Sequence, residues 1–254
     1  MSGDSLSFKG IVIRSSEYKD KDRLLSVLTR DLGLITIMAK GIARMNSRHA
    51  FLSMLFVFCD FTVTKSGAFY YLKEASIIEN NMGISSSLEG MTVAYHMSEL
   101  IRFSSFDNMP TEDLYELANY AFYHLSHKPE DYKIIYAAFN WRLLYLLGFN
   151  KVYDYCDRCG EEVNTNSSLY VDIDNSHIVC QNCCSSYEKE RLYELPLVAV
   201  NALNYFIETD IRKLFNASVE DSLLKLLMSF TTIYAAVALE RQITTLDSLS
   251  NLEP

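Results

Sequence analysis

Four cysteines form two Cys-x-x-Cys pairs, Cys156 with Cys159 and Cys180 with Cys183, and residues 160–179 separate the pairs. Each pair is short enough for one tight turn to direct both thiolates at one point, and two such turns supply the closed four-thiolate shell of a structural Zn2+ site. Gly160 follows the first pair, and glycine accepts the positive φ that turns backbone N–H groups toward the sulfurs. The spacing predicts one structural zinc ion held by these four cysteines.

Two redox dithiols or two disulfides are the alternative for the same pattern, but nothing else marks the chain as secreted. A catalytic zinc is disfavoured, because such a site keeps an open position and usually recruits histidine or carboxylate ligands. We expect His177, the histidine between the pairs, to be a surface residue. Cys184 is a register alternative to Cys183 that does not fit the same turn, and Cys59 is expected to be a small buried strand residue.

The length and composition of the chain limit the kinds of fold that can position this site. The chain has 254 residues, 49% of them hydrophobic, which is enough to bury one large core or two modest ones. The longest apolar runs, such as residues 234–239, are too short to span a membrane. The N-terminus, Met1-Ser2-Gly3-Asp4, has neither the basic segment nor the apolar segment that a signal peptide requires. We therefore expect a cytoplasmic protein that does not enter a membrane.

The formal charge of -9 is unevenly distributed along the chain. Residues 1–82 hold 11 Lys and Arg against 8 Asp and Glu, a net +3, whereas residues 83–254 hold 12 against 24, a net -12. This asymmetry indicates an N-terminal module that faces an anion, joined to an acidic module with another task. Ordinary scatter is the alternative explanation for the +3.

The first 82 residues have the alternation of short β-strands, with glycine in two tight connections, at 31–33 and 66–67. A short helix fits the segment between the third and fourth strands, residues 48–56. Five strands with a helix between the third and fourth is the order of the oligonucleotide-binding barrel, the OB-fold. The predicted strands are residues 7–14, 23–30, 34–40, 57–65 and 68–78.

After residue 83 the period becomes helical, with start signals such as the capping box at Ser86 and Ser218-x-x-Asp221 before the last helix. The three-to-four spacing of Tyr132, Tyr136, Phe139 and Tyr145 predicts core positions. The predicted helices are residues 91–103, 110–127, 129–148, 196–208 and 218–241. The expected fold is thus an α+β multidomain protein, with an OB-fold DNA-binding domain at 1–82 and an all-helical domain at 83–254, interrupted by a zinc ribbon at about 152–187.

This order of parts resembles the RecO family of bacterial recombination and repair mediators across essentially the whole chain. A set of local motifs in this order supports the resemblance together with the two cysteine pairs. They are Gly10-Ile11-Val12-Ile13, Glu17-Tyr18, Leu28-Thr29-x-x-x-Gly33, Lys40-Gly41 with Arg44 and Asn46-Ser47-Arg48, and Phe56.

The resemblance implies a non-enzymatic function. RecO-like proteins bind single- and double-stranded DNA, anneal complementary strands, and with RecR help load RecA onto DNA covered by single-strand binding protein, in the RecF pathway. It also implies that the acidic C-terminal tail of single-strand binding protein docks on the helical domain. Arg102, Arg142 and Arg212 are candidates for the rim of that pocket.

The chain departs from the family pattern in its basic loop and at its end. Ala43, Met45 and Leu55 stand where the family usually has a basic residue and two prolines, and residues 239–249 lack the basic stretch of the family. These departures predict weak DNA binding by the loop and bring a C-terminal DNA contact into question.

Two groups of cations are candidates for phosphate contacts, because an OB barrel binds strands through lysines and arginines that follow the backbone. The first is Lys40, Arg44 and Arg48 on the loop. The second is Lys19, Lys21 and Arg23, which share one face if that stretch is extended; a solvated charge run is the alternative. Tyr18 is a candidate for base stacking, with barrel packing as its alternative.

Two other classes of protein are alternatives to a DNA-binding mediator. An enzyme is disfavoured, because the sequence contains no Walker A loop, G-x-G-x-x-G, G-x-S-x-G or H-E-x-x-H motif. A zinc-ribbon adaptor that binds proteins and little DNA is the stronger rival, since a net -12 on the larger domain fits partner docking.

Overall fold

The computed structural model describes residues 5–67, 69–105, 112–163, 169–186 and 192–240. Contacts divide the chain into two compact units, residues 1–129 and 130–254. Several sequence-based expectations fall outside the described residues: the start of the fifth strand at 68, the start of the second helix at 110–111, part of the ribbon at 164–168, its end at 187, the last helix's end at Arg241, and residues 241–249 of the segment discussed for a C-terminal DNA contact.

The first unit contains a closed five-stranded barrel with the order β1-β2-β3-β5-β4. Strands β3 and β5 pair in parallel, and the other neighbours are antiparallel. A 3-10 turn, Ala50–Ser53, stands where the sequence predicted a short helix. The predicted OB-like barrel is confirmed. Its strands are β1 (Ser5–Tyr18), β2 (Asp22–Thr29), β3 (Gly33–Ala39), β4 (Phe58–Ser66) and β5 (Phe69–Glu79).

Two register shifts interrupt the pairing of β5 with β4. Thr62 pairs with Glu74 whereas Val63 pairs with Leu72, so Lys73 is an extra residue. Phe58 pairs with Glu79 whereas Cys59 pairs with Ile77, so Ile78 is a second one. A bulge of this kind bends the strand and redirects a side chain. The two bulges decide which side chains of β5 reach the surfaces described below.

Two helices complete the first unit, α1 (Leu88–Ser104) and α2 (Glu112–His127). The Ser87 hydroxyl caps α1 by accepting the Gly90 N–H at 2.9 Å, so the expected cap at Ser86 was one residue early. The ring of Phe56, at the end of the β3–β4 connection, stacks on Phe122 of α2 with 5.1 Å between centroids. Contacts therefore group α1 and α2 with the barrel, and the domain division at 82/83 stays a prediction.

The second unit has three helices and a small sheet. The helices are α3 (Tyr132–Leu146), α4 (Leu197–Glu208) and α5 (Asp221–Ala238), and the sheet β6 (Leu169–Asp172), β7 (His177–Cys180) and β8 (Leu192–Leu195) has the order β7-β6-β8. Tyr136 and Phe139 are buried as expected, but Tyr145 is 41% exposed and Tyr132 is half-buried. Glu220, rather than Ser218, is the N-cap of α5.

Helix α5 is long and apolar enough, by length and composition alone, to cross a membrane, and it is the one such helix in the described part of the chain. The core helix of a globular unit meets the same criterion. Its buried side chains include Phe230 and Tyr234, whose rings lie 5.5 and 5.0 Å from that of Trp141 in α3. This packing accounts for the buried side of α5, whereas Ile233 and Val237 on the same helix are exposed.

Candidate metal centre and candidate nucleic-acid interface

The sulfur atoms of Cys156, Cys159, Cys180 and Cys183 all lie within 4.8 Å of one another. None of the six cysteines, all of which lie in the described residues, forms a disulfide. Tetrahedral zinc with Zn–S bonds of about 2.3 Å requires sulfur–sulfur edges of about 3.8 Å. The Sγ atoms of Cys159 and Cys180 lie 3.9 Å apart, which fits such an edge. The four cysteines are therefore positioned to hold one metal ion.

Backbone turns produce this convergence. Gly160 has a φ of +72° and its N–H donates to the Cys156 carbonyl at 2.9 Å, while the Cys183 N–H donates to the Cys180 carbonyl at 3.0 Å. Asp157 ties the first turn to β7, because its carboxylate accepts the Ile178 N–H at 2.8 Å. Gly160 therefore adopts the positive φ that the sequence predicted for it in the first turn.

The pKa values of Cys156 and Cys183 are shifted in opposite directions. Burial alone would raise the pKa of Cys156, but hydrogen bonds from the backbone N–H groups of Cys159, Cys180 and Arg158 outweigh it and lower that pKa to about 6. Desolvation and the neighbouring sulfurs raise the pKa of Cys183 to about 12. A cation would stabilise the additional thiolates, which is the usual reason that metal binding releases protons.

The neighbouring residues match their expected places. Cys184 directs its thiol at the Gln181 carbonyl, 3.0 Å away, and is not part of the four-sulfur group. His177 is exposed at the start of β7. Cys59 is fully buried in the barrel, and this burial raises its pKa to about 12.

The second site is a basic pocket of about 780 Å³ on the barrel. It is lined by all three predicted loop cations, Lys40, Arg44 and Arg48, together with Lys73 from the first bulge of β5. Lys73 was not found from the sequence, because an alternating strand pattern does not show where a bulge will fall. We call this surface the basic pocket.

The loop that lines the basic pocket is anchored at both of its sides. Gly41 has a φ of +68°, and its N–H donates to the Asp22 carboxylate at 2.7 Å. Ile42 is buried in the barrel core. A side chain at Gly41 would also meet Arg44, whose Nε lies 3.2 Å from the position of an added Cβ. Arg44 therefore folds back over Gly41, and only glycine suits that position.

Lys19 and Lys21 do not belong to an extended stretch. They lie in the turn between β1 and β2, and Lys19 has a φ of +55°, so the expected shared face with Arg23 was wrong. Arg23 lies in β2, where its guanidinium donates to Ser15 Oγ at 3.3 Å and lies 3.7 Å from Glu17. Arg23 is thus engaged within the barrel, whereas the two lysines are exposed.

The turn and the loop are adjacent. The Ala43 N–H donates to the Lys21 carbonyl at 3.2 Å. The 19–21 turn therefore lies beside the loop that carries Lys40, Arg44 and Arg48, on one surface of the barrel. Aromatic rings lie beside the lysines: Lys40 Nζ is 5.5 Å from the ring centroid of Tyr71, and Lys19 Nζ is 5.4 Å from that of Tyr18. These cation–aromatic contacts hold the ammonium groups near the rings.

Acidic residues also reach this surface. The Arg48 guanidinium lies 2.5 Å from the Glu74 carboxylate, and His49 Nε2 lies 3.4 Å from the other oxygen of Glu74. No acidic residue lies between Lys40 and Arg48 in the sequence, but β5 brings Glu74 to the loop in the folded barrel. Among the described residues, Lys40 and Arg44 form no ion pair.

The three arginines considered for a tail-binding rim are in different settings. Arg142 donates to the backbone carbonyls of Phe206 and Thr209 at the end of α4. Arg212 forms an ion pair with Asp210 at 2.6 Å, which holds the pKa of that carboxyl well below its usual range. Arg102 is exposed in the last turn of α1.

A closed barrel of OB order, a following set of helices and a four-thiol centre define an OB-barrel protein with a helical region that carries a metal site. Two family models match this chain. The model for the N-terminal part of recombination protein O matches residues 1–81, and the model for its C-terminal part matches residues 85–247. The chain therefore belongs to the RecO family of DNA repair proteins.

Curated relatives agree with this membership. The DNA repair protein RecO of Acetivibrio thermocellus is 27% identical over 98% of this chain and 97% of its own length. That of Clostridium acetobutylicum is 25% identical over 85% of each chain, and that of Bacillus pumilus is 28% identical over 84% of this chain and 80% of its own. The likeness extends over the barrel, the helices and the cysteine region.

Proposed function

We propose that this protein is a non-enzymatic recombination mediator that binds single- and double-stranded DNA and anneals complementary strands. With RecR it helps load RecA onto DNA coated by single-strand binding protein, and RecF acts in the same pathway. Family membership supports the role in DNA repair. The observation that carries the DNA-binding proposal is the basic pocket, where cations from one loop and one bulge share a surface that the 19–21 turn adjoins.

The cations of the basic pocket favour contacts with DNA phosphates, which are the same for every base sequence. Lys40, Arg44 and Lys73 are exposed, and the lysine-bearing turn at 19–21 adjoins them. Such contacts release counterions, so affinity falls with salt by a slope of about -0.7 in log K against log salt for each phosphate of a single strand. Three contacts give a slope of roughly -2. Binding is therefore weak at physiological salt and independent of sequence.

Fluorescence anisotropy of a labelled oligothymidine, measured with the full chain over a salt series, tests this site. The triple variant Lys40→Ala, Arg44→Ala, Arg48→Ala should bind more weakly, with a slope of about -0.7, the contribution of the remaining Lys73. The matched control removes three exposed lysines elsewhere: Lys9→Ala, Lys128→Ala, Lys213→Ala. Equal losses in both triple variants would show that only net charge matters, and the basic pocket would not be the site.

The mediator role needs its own measurement. RecA filament formation on oligonucleotides covered by single-strand binding protein, followed by ATP hydrolysis, should accelerate when this protein and RecR are added together. The loop triple variant should lose that acceleration. An unchanged rate with the wild-type protein would contradict the mediator role while leaving DNA binding intact.

We assign the metal at the four cysteines as one structural Zn2+. Four thiolates and a closed shell suit zinc, and they leave no open position for a substrate. When bound, the ion would fix the two turns against β7. In this proposal the ribbon positions a surface and does not take part in a reaction.

The tail of single-strand binding protein is proposed to dock on the second unit. A groove of about 560 Å³ between α4 and α5 has an apolar lining that includes Val198, Ala202, Leu223 and Leu226. Glu220 also lines the groove and opposes an acidic tail. Calorimetric titration with the tail peptide, repeated with Leu223→Asp, tests this. Absence of heat at low salt with the wild-type protein would remove this partner.

A protein-binding adaptor with little DNA affinity is the second candidate. The net -12 of residues 83–254 favours it, because that charge repels DNA and suits docking of other proteins. If the full chain binds tail peptide but no oligonucleotide at low salt, the adaptor is the better description. Either function places the protein in the cytoplasm, where these partners are.

A further inference from the structure

A second pocket of the first unit, of about 330 Å³, lies between the barrel and α2. Phe58 and Ile78 line it from the barrel, and Tyr120 and Tyr123 line it from α2. Its volume falls within the roughly 300–1,000 Å³ of pockets that bind ligands. Ile78 reaches this pocket as the extra residue of the second β5 bulge. We call it the aromatic pocket.

Asn81, one of the residues that line the aromatic pocket, has a buried polar atom without a hydrogen-bond partner among the described residues. Asn81 is 4% exposed and lines the pocket, and its Nδ2 donates to the Phe56 carbonyl at 2.8 Å. Its Oδ1 is buried and, within the described part of the chain, accepts no hydrogen bond. An unsatisfied buried acceptor costs about 1–3 kcal/mol. The atom therefore favours a ligand that brings an N–H or O–H donor.

Charge around the aromatic pocket favours neutral or basic groups. Among the described residues, those that line the pocket include one carboxylate, Glu79, and no lysine or arginine. One oxygen of Glu79 already accepts the Asn80 N–H at 3.0 Å, which fixes the carboxylate at the rim. DNA phosphates and an acidic tail would both be repelled there. The site thus differs in chemistry from the basic pocket.

Exposed apolar side chains beside the opening extend the surface. Ile78 is 44% exposed and Tyr123 is 46% exposed, although each lines the pocket. Exposed aromatic and aliphatic side chains around a buried acceptor are the anatomy of a pocket that takes one anchoring side chain of a protein partner.

We propose that the aromatic pocket binds a segment of a partner protein that inserts an aromatic side chain carrying an N–H donor, flanked by basic residues. The indole of tryptophan has this chemistry: its ring packs among Phe58, Ile78, Tyr120 and Tyr123, and its N–H donates to Asn81 Oδ1. The flanking cations lie near Glu79. The site goes beyond the proposed DNA-binding function and does not depend on it.

Three blocked tripeptides serve as probes in calorimetry with the full chain: acetyl-Lys-Trp-Lys-amide, acetyl-Gly-Trp-Gly-amide and acetyl-Asp-Trp-Asp-amide. The affinity should fall in that order, because Glu79 attracts the first and repels the last. Replacing tryptophan in the first peptide by 2-naphthylalanine keeps the size and removes the N–H. It should weaken binding about fivefold, as expected for one buried hydrogen bond. Equal binding of the two would overturn the hydrogen bond to Asn81.

Ile78→Ser and Ile77→Ser form a matched pair, because the two isoleucines are adjacent on β5, 44% and 47% exposed, and only Ile78 lines the pocket. Ile78→Ser should weaken binding of the lysine peptide by about tenfold, because it removes apolar area that the indole would cover, and Ile77→Ser should change it by less than about twofold. Tyr123→Ala is the second test, should Ile78→Ser misfold. Neither variant should alter oligonucleotide binding. Equal effects of both serine variants, or tightest binding of the aspartate peptide, would overturn the proposal.

Discussion

The Arg48 guanidinium and the Glu74 carboxylate form an ion pair of 2.5 Å at the edge of the basic pocket, although 26 residues separate them. Both side chains are exposed, at 71% and 56%. Exposed pairs of this kind contribute little stability, about 0–1 kcal/mol. We therefore expect the pair to affect the proposed DNA binding more than folding, because it neutralises a cation of the loop.

Replacing Glu74 by glutamine should strengthen binding of single-stranded DNA, because it releases Arg48 for a phosphate contact. The salt slope should become steeper by about 0.7, the contribution of one further phosphate. Anisotropy over a salt series measures both quantities. Asp60→Asn, which removes an exposed carboxylate on β4 outside the pocket, is the control. If it matches Glu74→Gln, the ion pair is irrelevant.

Lys73→Ala should weaken oligonucleotide binding and reduce the salt slope by about 0.7, because the β5 bulge places this lysine in the basic pocket. Lys9→Ala carries the same charge change on β1, outside the pocket, and should leave the slope unchanged. Identical slopes for the two variants would contradict a role for Lys73.

Elemental analysis of the purified protein should find one zinc per chain. Cys183→Ser should lose the metal, because it removes one of four converging sulfurs. Cys184→Ser should keep it, since that thiol points at the Gln181 carbonyl. Loss of zinc from the Cys184 variant with retention in the Cys183 variant would reverse the ligand assignment.

Asn81→Ala should destabilise the first unit by about 1–3 kcal/mol, because it leaves the buried Phe56 carbonyl without its donor. Asn81 also has a φ of +50°, which alanine tolerates poorly. Asn81→Gly keeps that backbone conformation accessible and removes the same hydrogen bond. Urea unfolding should therefore rank wild type above Asn81→Gly above Asn81→Ala, and equal values for the two variants would show that the backbone conformation costs nothing.

Asp221 should make stability depend on pH. It begins α5, and a hydrogen bond from Lys133 lowers its pKa from 3.8. A lowered pKa in the folded state means that its stabilising effect is present above pH 3.8 and is lost as pH falls through the folded value. Asp221→Asn should thus lower the melting temperature at pH 7, and the difference from wild type should shrink as the pH falls below 3.8. A difference that stays constant as the solution is acidified would contradict this role of Asp221.

Periodicity and local spacing determined much of this protein. Alternation over residues 5–79 sufficed for five strands and their barrel order, because each strand must bury one face. Two Cys-x-x-Cys pairs sufficed for the converging sulfurs, since each turn is local and Gly160 permits it. Lys40, Arg44 and Arg48 were found in the sequence because one loop carries them all.

Only the tertiary structure decided what surrounds those residues. The bulges that turn Lys73 and Ile78 into their pockets arise from the pairing of β5 with β4, and a strand's own alternation does not encode a partner's register. The pairing of Arg48 with Glu74 and the joining of the 19–21 turn to the loop bring together residues distant in sequence. Spacing along the chain fixes local turns and faces, whereas charge pairing across strands depends on how the barrel closes.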